Sequence, residues 1–216
     1  TLVHSYSKEI HEALGRYQYQ LFSLAEDEMP DFINARDFCG LNVTIPYKKD
    51  VIPLCDEVTD LARGIGAVNT LFWKNASGTG ASESISQEDK ILVGHNTDYE
   101  GFLYAASRAG IDFEGKGVLI LGTGGTSLMA RRAAADQNAA KIYIASRHPE
   151  TDPPSGSEIQ DAGILSTVSY DQLPEIADSI DVIVNTTPVG TFPNNMQQVI
   201  RLKDFPGCHA IIDVIY

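Results

Sequence analysis

From Gly117 onward, short apolar runs alternate with helical segments, and this alternation constrains the fold of the chain more than any other feature. Runs of β-branched residues that are separated by helices are typical of parallel strands covered on both faces. The spacing predicts helices at 127–136 and 173–180, and strands at 118–121, 142–145, 167–169, 182–184 and 210–215. The second half of the chain is therefore predicted to be a doubly wound α/β domain.

The first half of the chain is also predicted to be α/β, with a less regular pattern. Its hydrophobic spacing predicts helices at 8–14, 48–54 and 58–63, and strands at 17–24, 41–45, 67–73 and 91–94. The Ser-, Gly- and Glu-rich segment 75–90 indicates a solvated loop or a hairpin tip between two strands, and a helix at 98–109 would link the halves. We therefore predict a first domain at 1–97, a linking helix and turn at 98–116, and a second domain at 117–216.

The composition excludes several classes of protein. With 43% apolar and 21% charged residues the chain is typical of a globular protein, and its net charge of −13 argues against a nucleic-acid or anionic membrane partner, since both need basic patches. Cys39, Cys55 and Cys208 fit no metal-binding spacing, so no metal site is predicted, and buried free thiols in a reducing compartment are expected. No segment resembles a membrane span or a signal peptide, which favours a cytoplasmic location.

A glycine-rich turn, Gly122-Thr-Gly124-Gly125, follows the first strand of the second domain and opens its first helix. Gly122 permits a tight turn, and Gly124 allows the backbone to approach a pyrophosphate. The helix that starts near Gly125 and Thr126 would direct its free N–H groups at that anion. The pattern predicts a dinucleotide site, and a glycine turn without a ligand is the alternative.

The next strand ends at Ser146 and Arg147, where a Rossmann fold that binds NAD usually carries an acidic residue against the ribose hydroxyls. No acidic residue occupies this position in the sequence. The planar guanidinium of Arg147 can instead pair with the 2′-phosphate of NADP. NADP is therefore the predicted cofactor, and an exposed arginine without a ligand is the alternative.

Lys48 and Asp98 lie 50 residues apart, each inside a short polar motif. A lysine and a carboxylate held together can move a proton while a nicotinamide moves a hydride, which is what the interconversion of a ketone and a secondary alcohol requires. Together with the predicted dinucleotide site, these two residues indicate an oxidoreductase. A plain surface salt bridge is the alternative.

Seven segments of the chain resemble the shikimate dehydrogenase family and occur in the order found in that family. They are His4-Ser-Tyr-Ser7, Asn42-Val-Thr-Ile-Pro-Tyr-Lys48, Ile65-Gly-Ala-Val-Asn-Thr70, Gly94-His-Asn-Thr-Asp98-Tyr-Glu-Gly101, Gly122-Thr-Gly-Gly125, Asn185-Thr-Thr-Pro-Val-Gly190 and Asp213-Val-Ile-Tyr216. The resemblance implies an N-terminal α/β substrate-binding domain followed by a Rossmann-like NADP-binding domain. It also implies reversible, NADP-linked reduction of 3-dehydroshikimate to shikimate in the route to aromatic amino acids.

The resemblance further implies roles for individual residues. Lys48 and Asp98 would be the catalytic pair, and Thr187 and Val189 would border the nicotinamide. The carboxylate and hydroxyls of the substrate, shikimate or 3-dehydroshikimate, would be held by Ser5, Ser7, Asn42, Thr44, Asn69 and Tyr216. Taken singly, each of these six is a plausible helix cap or turn former, and the serines before the first predicted helix could supply its N-cap. A monomer or a homodimer is expected.

The chain departs from the family pattern in three places. Lys8 stands where a proline often follows the first motif. Family members have a strand before the position of His4 and further helices after the position of Tyr216, and residues 1–216 include neither. Three other functions stay open: a quinate or quinate/shikimate dehydrogenase, a non-catalytic ligand-sensing domain on the same scaffold, and an inactive structural fragment. Ser5 and Ser7 favour shikimate, since related quinate enzymes tend to carry threonine in that region.

Overall fold

A computed structural model describes residues 5–75, 90–151, 164–191 and 195–214 of the chain. The chain divides into two compact units, Thr1–Phe38 and Cys39–Tyr216. The domain limits predicted near residues 97 and 117 stay predictions, and nearly all of the predicted loop at 75–90 lies outside the described residues. Among the helices of the described ranges, none has the length and apolar character that crossing a bilayer requires.

The first unit begins with helix α1, Ser7–Leu14, which confirms the helix predicted at 8–14. The helix does not use a serine as its cap: Tyr6 is the N-cap residue, and no side chain makes a capping hydrogen bond. Ser5 Oγ accepts a hydrogen bond from the N–H of Ser7 at 3.3 Å. Ser5 therefore satisfies the N–H of the first residue of α1, and the alternative of a local role at the helix end stays open.

The strand predicted at 17–24 is wrong. Within residues 5–38 no strand forms, and Phe22 packs on Phe32 with ring centroids 4.8 Å apart. Phe32 belongs to helix α2, Met29–Asn34, which the sequence pattern did not predict. The segment also contacts α1: the ring of Tyr19 stacks on His11 with centroids 4.4 Å apart, and the N–H of Tyr19 donates to Glu12 Oε1 at 3.5 Å. Contacts with both helices therefore accompany this segment.

The second unit begins with a four-stranded sheet in the order β1-β3-β4-β2. β3 is antiparallel to both β1 and β4, whereas β2 is parallel to β4. The four strands are β1 (Gly40–Asn42), β2 (Glu57–Val58), β3 (Thr70–Asn75) and β4 (Lys90–His95). The strand predicted at 91–94 is confirmed.

The strands predicted at 41–45 and 67–73 form with different limits. β1 ends at Asn42 because its partner in the ladder, Thr70, is the first residue of β3. β3 cannot begin earlier, since the N–H of Val68 donates to the carbonyl oxygen of Lys48 at 2.7 Å. Val68 is therefore bonded to a loop, whereas the N–H of Asn69, directly before β3, still donates to the carbonyl oxygen of His95 in β4 at 3.0 Å.

Helix α3, Asp60–Ile65, begins later than the helix predicted at 58–63. The reason is its cap, because Thr59 Oγ1 accepts a hydrogen bond from the N–H of Ala62 at 3.3 Å. The residues before Thr59 belong to β2, so the cap marks the change from strand to helix.

The helix predicted at 48–54 is wrong. A series of turns follows Pro46 and ends in a short 3₁₀ helix at Ile52–Leu54. Pro53 lies inside that 3₁₀ helix, and proline has no N–H to donate to an α-helical turn. Helix α4, Asp98–Arg108, confirms the predicted linking helix.

The second sheet has five parallel strands in the order β7-β6-β5-β8-β9. They are β5 (Gly117–Leu121), β6 (Lys141–Ser146), β7 (Leu165–Ser169), β8 (Val182–Asn185) and β9 (Ala210–Asp213). Helix α5, Gly125–Asp136, follows β5, and helix α6, Leu173–Ile176, precedes β8. The predicted doubly wound domain is confirmed, although the helix predicted at 173–180 continues after α6 as a 3₁₀ helix.

β5 lies at the centre of this sheet, and all of its residues are buried. Val118 and Ile120 join an apolar cluster that contains Phe102 of α4, whereas Leu119 and Leu121 join a second cluster. Because successive side chains of a strand point to opposite faces, helices must cover both faces of the sheet. The strand order changes direction at β5, which creates a crevice at the carboxyl ends of β5 and β8.

The cysteines differ from the expectation of buried thiols. All three are free, but Cys39 is exposed, and Cys55 and Cys208 are half-buried. Cys39 directly precedes β1, which is an edge strand of the first sheet and offers little cover. Partial burial still raises the pKa of the Cys208 thiol above its usual range.

Candidate active site

The loops after three strands of the second sheet meet at its carboxyl edge. The N–H of Gly122, after β5, donates to the carbonyl oxygen of Ala145 in β6 at 3.1 Å. The N–H of Thr186, after β8, donates to the carbonyl oxygen of Leu121 in β5 at 3.0 Å. The predicted cofactor residues from distant parts of the chain are thereby brought to one edge.

The glycine turn has the conformation that the sequence predicts. Gly122 has φ of +103°, and a Cβ at this position would lie 3.1 Å from the Cγ2 of Thr187, so only glycine fits without strain. Gly124 is the N-cap residue of α5, no side chain caps that helix, and a Cβ on Gly124 would meet no atom within 4 Å. The backbone at the start of α5 is therefore open at Gly124, as the approach of a pyrophosphate to the free N–H groups of a helix N-terminus requires.

Gly125 has a second role that sequence reasoning missed. A Cβ at this position would lie 3.4 Å from both the Cβ and the Cδ of Lys48. The start of α5 therefore rests against the aliphatic stem of Lys48. The sequence shows the glycine itself. It does not show that Lys48, in a motif far earlier in the chain, is the residue that packs against it.

Ser146 and Arg147 end β6 next to the glycine turn. Ser146 is buried, and its Oγ accepts a hydrogen bond from the N–H of His148 at 2.9 Å. Arg147 is exposed and lies close enough to Tyr170 to affect its ionisation: burial raises the pKa of Tyr170, and the charge of Arg147 opposes that shift. An exposed guanidinium at this edge is free to meet a ligand phosphate.

Thr187 and Val189 belong to a hydrogen-bonded loop after β8. Asn185 Oδ1 accepts from the N–H of Thr187 at 3.1 Å and from its hydroxyl at 2.8 Å, while Asn185 Nδ2 donates to Asp213 at 3.0 Å. The N–H of Val189 donates to Thr187 Oγ1 at 3.3 Å. Asn185 shapes this loop, although the sequence analysis assigned it no role.

Lys48 and Asp98 form an ion pair, with Lys48 Nζ 2.5 Å from Asp98 Oδ2. The Lys48 side chain is 11% exposed and that of Asp98 is 33% exposed, so the ammonium is nearly enclosed while the carboxylate stays open on one side. Asp98 is the first residue of α4, where the positive end of the helix dipole also favours its charge. The alternative of a plain surface salt bridge does not describe a lysine that is buried to this degree.

Asn69 is bonded to Thr97, the residue before Asp98, and its amide orientation is fixed. Its Oδ1 accepts hydrogen bonds from the N–H of Thr97 at 2.8 Å, from Thr97 Oγ1 at 3.2 Å and from Thr70 Oγ1 at 2.9 Å. A backbone N–H can only donate, so the atom that faces Thr97 must be the oxygen. Asn69 Nδ2 makes no hydrogen bond within the described residues and is available to a ligand. Thr97 and Thr70 belong to two of the motifs that resemble the family, but no role was predicted for either residue.

The other predicted substrate residues occupy varied positions. Asn42 is exposed at the end of β1 and pairs with Thr70 in the β1–β3 ladder, and Thr44 is exposed two residues later. Ser5 and Ser7 belong to the first unit, and Tyr216 lies outside the described residues. Their contact with a substrate stays a prediction.

A parallel sheet with a glycine turn at its carboxyl edge, next to a buried lysine–carboxylate pair, defines a dinucleotide-dependent oxidoreductase. The shikimate dehydrogenase (NADP(+)) of Clostridium perfringens strain SM101 is 32% identical over 223 aligned residues, covering 100% of this chain and 75% of that protein. This chain belongs to the shikimate dehydrogenase family. The family model of the shikimate dehydrogenase substrate binding domain matches residues 2–71.

Solved structures agree with this assignment and confirm the predicted fold class. Shikimate dehydrogenase 1 from Peptoclostridium difficile has a TM-score of 0.83 at 29% identity, covering 100% of this chain and 75% of that one. Shikimate 5-dehydrogenase from Thermus thermophilus, solved in complex with NADP(H) and shikimate, has a TM-score of 0.77 at 27% identity, covering 100% of this chain and 76% of that one.

Proposed function

We propose that this chain catalyses the reversible, NADP-linked reduction of 3-dehydroshikimate to shikimate, with Lys48 and Asp98 as its catalytic pair. The observation that carries the proposal is the 2.5 Å ion pair of a buried lysine whose stem lies against the first residue of α5. The pair therefore stands next to the helix whose open N-terminus fits a dinucleotide. Family membership supplies the identity of the substrate.

Lys48 is the proton donor of the proposed reaction. When bound, the nicotinamide of NADPH would supply the hydride for the carbonyl carbon, and that of NADP⁺ would accept it in the reverse direction. The Lys48 ammonium gives a proton to the carbonyl oxygen as the C=O double bond becomes a C–OH group, and it recovers that proton when the alcohol is oxidised. Asp98 holds the ammonium in position and balances its charge.

Asn69 would recognise the substrate as a donor. With its Oδ1 already bonded to Thr97 and Thr70, its Nδ2 presents N–H groups to an oxygen of the ligand. Ser5, Ser7, Asn42, Thr44 and Tyr216 are proposed as the remaining contacts to the substrate carboxylate and hydroxyls. A polar site of this kind rejects analogues that leave its buried groups unpaired.

Replacing Asn69 with aspartate is expected to raise KM for shikimate about tenfold or more, because the variant loses both N–H donors and adds a negative charge. The carboxylate keeps the acceptor that Thr97 requires, so the fold should be retained. Steady-state kinetics with varied shikimate measures the effect. The exposed Asn34, changed to aspartate, is the control, and an unaltered KM in the Asn69 variant would contradict the assigned contact.

The proposed NADP site combines the glycine turn with the neighbouring strand ends. The first turn of α5 would bind the pyrophosphate, with Gly122, Gly124, Gly125 and Thr126 forming the cradle. Ser146 and Arg147 would meet the 2′-phosphate. Thr187 and Val189 would line the nicotinamide side. The space beside Gly124 and the exposed guanidinium of Arg147 both suit this ligand.

Arg147→Gln is expected to raise KM for NADP about tenfold or more, since a charged hydrogen bond to phosphate is lost. KM for NAD should stay nearly constant, because NAD has no 2′-phosphate. Initial rates with each cofactor at saturating shikimate measure the change, with the exposed His148→Gln as a control. Equal effects on both cofactors would assign Arg147 a role unrelated to the 2′-phosphate.

The activity itself is tested by following the absorbance of the reduced nicotinamide with the purified chain. Shikimate with NADP should give the highest kcat/KM. Replacing shikimate with quinate, or NADP with NAD, should lower that value. A higher kcat/KM with quinate than with shikimate would show that quinate is the preferred substrate. Binding of shikimate and NADP without turnover would support a ligand-sensing domain instead.

A cytoplasmic location and a monomeric or homodimeric state complete the proposal. The acidic composition supports a protein without nucleic-acid partners. Fluorescence microscopy of a tagged chain would test the location, and sedimentation analysis would test the oligomeric state.

A further inference from the structure

A hydrogen-bonded network ties the first turn of α4 to the last turn of α5. Tyr99 OH donates to Asp136 Oδ2 at 2.6 Å. Arg132 Nε donates to both carboxylate oxygens of Asp136, at 2.9 and 2.8 Å. A phenol and a guanidinium therefore share one carboxylate, and charge-assisted bonds of this kind are stronger than neutral ones.

A third helix joins the network through close packing. A Cβ on Gly64 of α3 would lie 2.6 Å from a terminal nitrogen of Arg132. The guanidinium thus fills the space that this glycine leaves open. Tyr99 also packs against the apolar cluster that contains Phe102 and Phe113. The ring and the hydroxyl of Tyr99 are therefore both engaged.

The hydroxyl of Tyr99 remains a donor at all ordinary pH values. Burial, followed by the hydrogen bond to Asp136 and its negative charge, raises the pKa of Tyr99 from 10.0 to about 12. The folded protein thus favours the protonated phenol, and this contribution is lost only as the pH rises above 10. The network is consequently a constant element of the structure in the neutral range.

Both partners of the ion pair depend on α5 for their position. At the start of this helix, Gly125 lies against the stem of Lys48. At its end, Asp136 holds Tyr99, which is the residue next to Asp98. One helix therefore contacts the stem of Lys48 at its first turn and, through Tyr99, the first turn of α4 that carries Asp98 at its last turn.

We propose that Tyr99 is a positioning residue for Asp98, and that its hydroxyl, through Asp136 and Arg132, fixes the first turn of α4 so that the carboxylate meets the Lys48 ammonium. The proposal rests on the catalytic roles given above to Lys48 and Asp98. It assigns Tyr99 no contact with substrate or cofactor. Its effect on the reaction passes through Asp98 alone.

Tyr99→Phe tests the proposal because it removes one hydroxyl and keeps the packed ring. We expect kcat to fall about fivefold while KM for shikimate changes little, since small errors in the position of a catalytic group are costly. Tyr104→Phe is the matched control on the same helix: Tyr104 is 66% exposed and makes no side-chain hydrogen bond within the described residues. Its kcat should equal that of the parent chain.

A double-mutant cycle with Asp98→Asn identifies the route of the effect. If Tyr99 acts through Asp98, Tyr99→Phe should cause no further loss of kcat in the Asp98→Asn background. A loss of the same factor in both backgrounds would overturn the positioning role. An Asp98→Asn variant with parental kcat would instead overturn the proposed function, so the two failures are distinguishable.

Amide hydrogen exchange provides a measure that does not depend on activity. In the protein without ligands, Tyr99→Phe should raise the exchange rate of peptides from the first turn of α4, whereas Tyr104→Phe should not. Unchanged exchange in that turn, together with parental kcat, would show that the hydroxyl positions nothing. Faster exchange with parental kcat would show that Tyr99 stabilises α4 without affecting catalysis, and would overturn the positioning role.

Discussion

Lys48→Ala is expected to lower kcat about a thousandfold, within the range that general acid–base catalysis contributes to enzyme reactions. The variant removes the proposed proton donor and would leave the carbonyl oxygen of the substrate without a cation as negative charge develops there. Asp98 would lose its partner but is one-third exposed, so water can still solvate its charge and the fold should persist. The measurement is the rate of shikimate oxidation with NADP at saturation.

Lys49→Ala is the control for this variant, because Lys49 is the neighbouring residue and is exposed. It should retain the parental kcat. Thermal unfolding of both variants separates loss of chemistry from loss of structure. A Lys48→Ala variant that folds and keeps kcat within about tenfold of the parent would show that another group supplies the proton.

Gly117→Ala is expected to destabilise the chain by about 3 kcal/mol or more, which is the upper range for overpacking a buried site. A Cβ on Gly117 would lie 1.8 Å from the carbonyl oxygen of Ser179, and backbone cannot move aside as a flexible side chain can. Two hydrogen bonds hold Gly117 to Asp181: the N–H of Gly117 donates to Asp181 Oδ2 at 2.8 Å, and the N–H of Asp181 donates to the carbonyl oxygen of Gly117 at 2.8 Å. A backbone shift that relieves the clash would also break these two bonds. Chemical denaturation measures the change in free energy of unfolding.

Gly101→Ala is the comparison variant, and it is expected to raise the free energy of unfolding rather than lower it. Gly101 lies on the exposed side of α4, and a Cβ there would meet no atom within 4 Å. Alanine in a helix should stabilise the protein by roughly 0.5–1 kcal/mol, because glycine loses more backbone freedom on folding. A Gly117→Ala variant as stable as the Gly101→Ala variant would mean that β5 and the loop at Ser179 can separate.

The second sheet was predictable because its strands are buried on both faces. A strand such as Val118–Leu121 must be apolar throughout, which leaves a continuous signal in the sequence. The segments 17–24 and 48–54 carry apolar residues as well, but their structure depends on partners that periodicity does not report. The segment 17–24 contacts α1 and α2 through its aromatic side chains, and in 48–54 the prolines limit local hydrogen bonding.

In the site, too, residues within short motifs were predictable, whereas contacts between distant parts of the chain were not. Short motifs predicted the polar groups, since Lys48, Asp98 and the glycine turn each stand in a recognisable sequence context. Contacts between motifs were not predictable: Gly125 against Lys48, Thr97 on Asn69, and Tyr99 on Asp136. Each joins residues that lie far apart along the chain, so only the folded arrangement of sheets and helices brings them together.

The saturated oxygen of Asn69 has a consequence for the design of inhibitors. An amide that can only donate would favour a ligand atom that carries lone pairs and would oppose one that carries protons. In the site proposed above, a shikimate analogue with fluorine in place of the hydroxyl that Asn69 would contact keeps an electronegative atom facing the N–H groups. An amino analogue, protonated at neutral pH, would set a cation against those same hydrogens and should be excluded from the site.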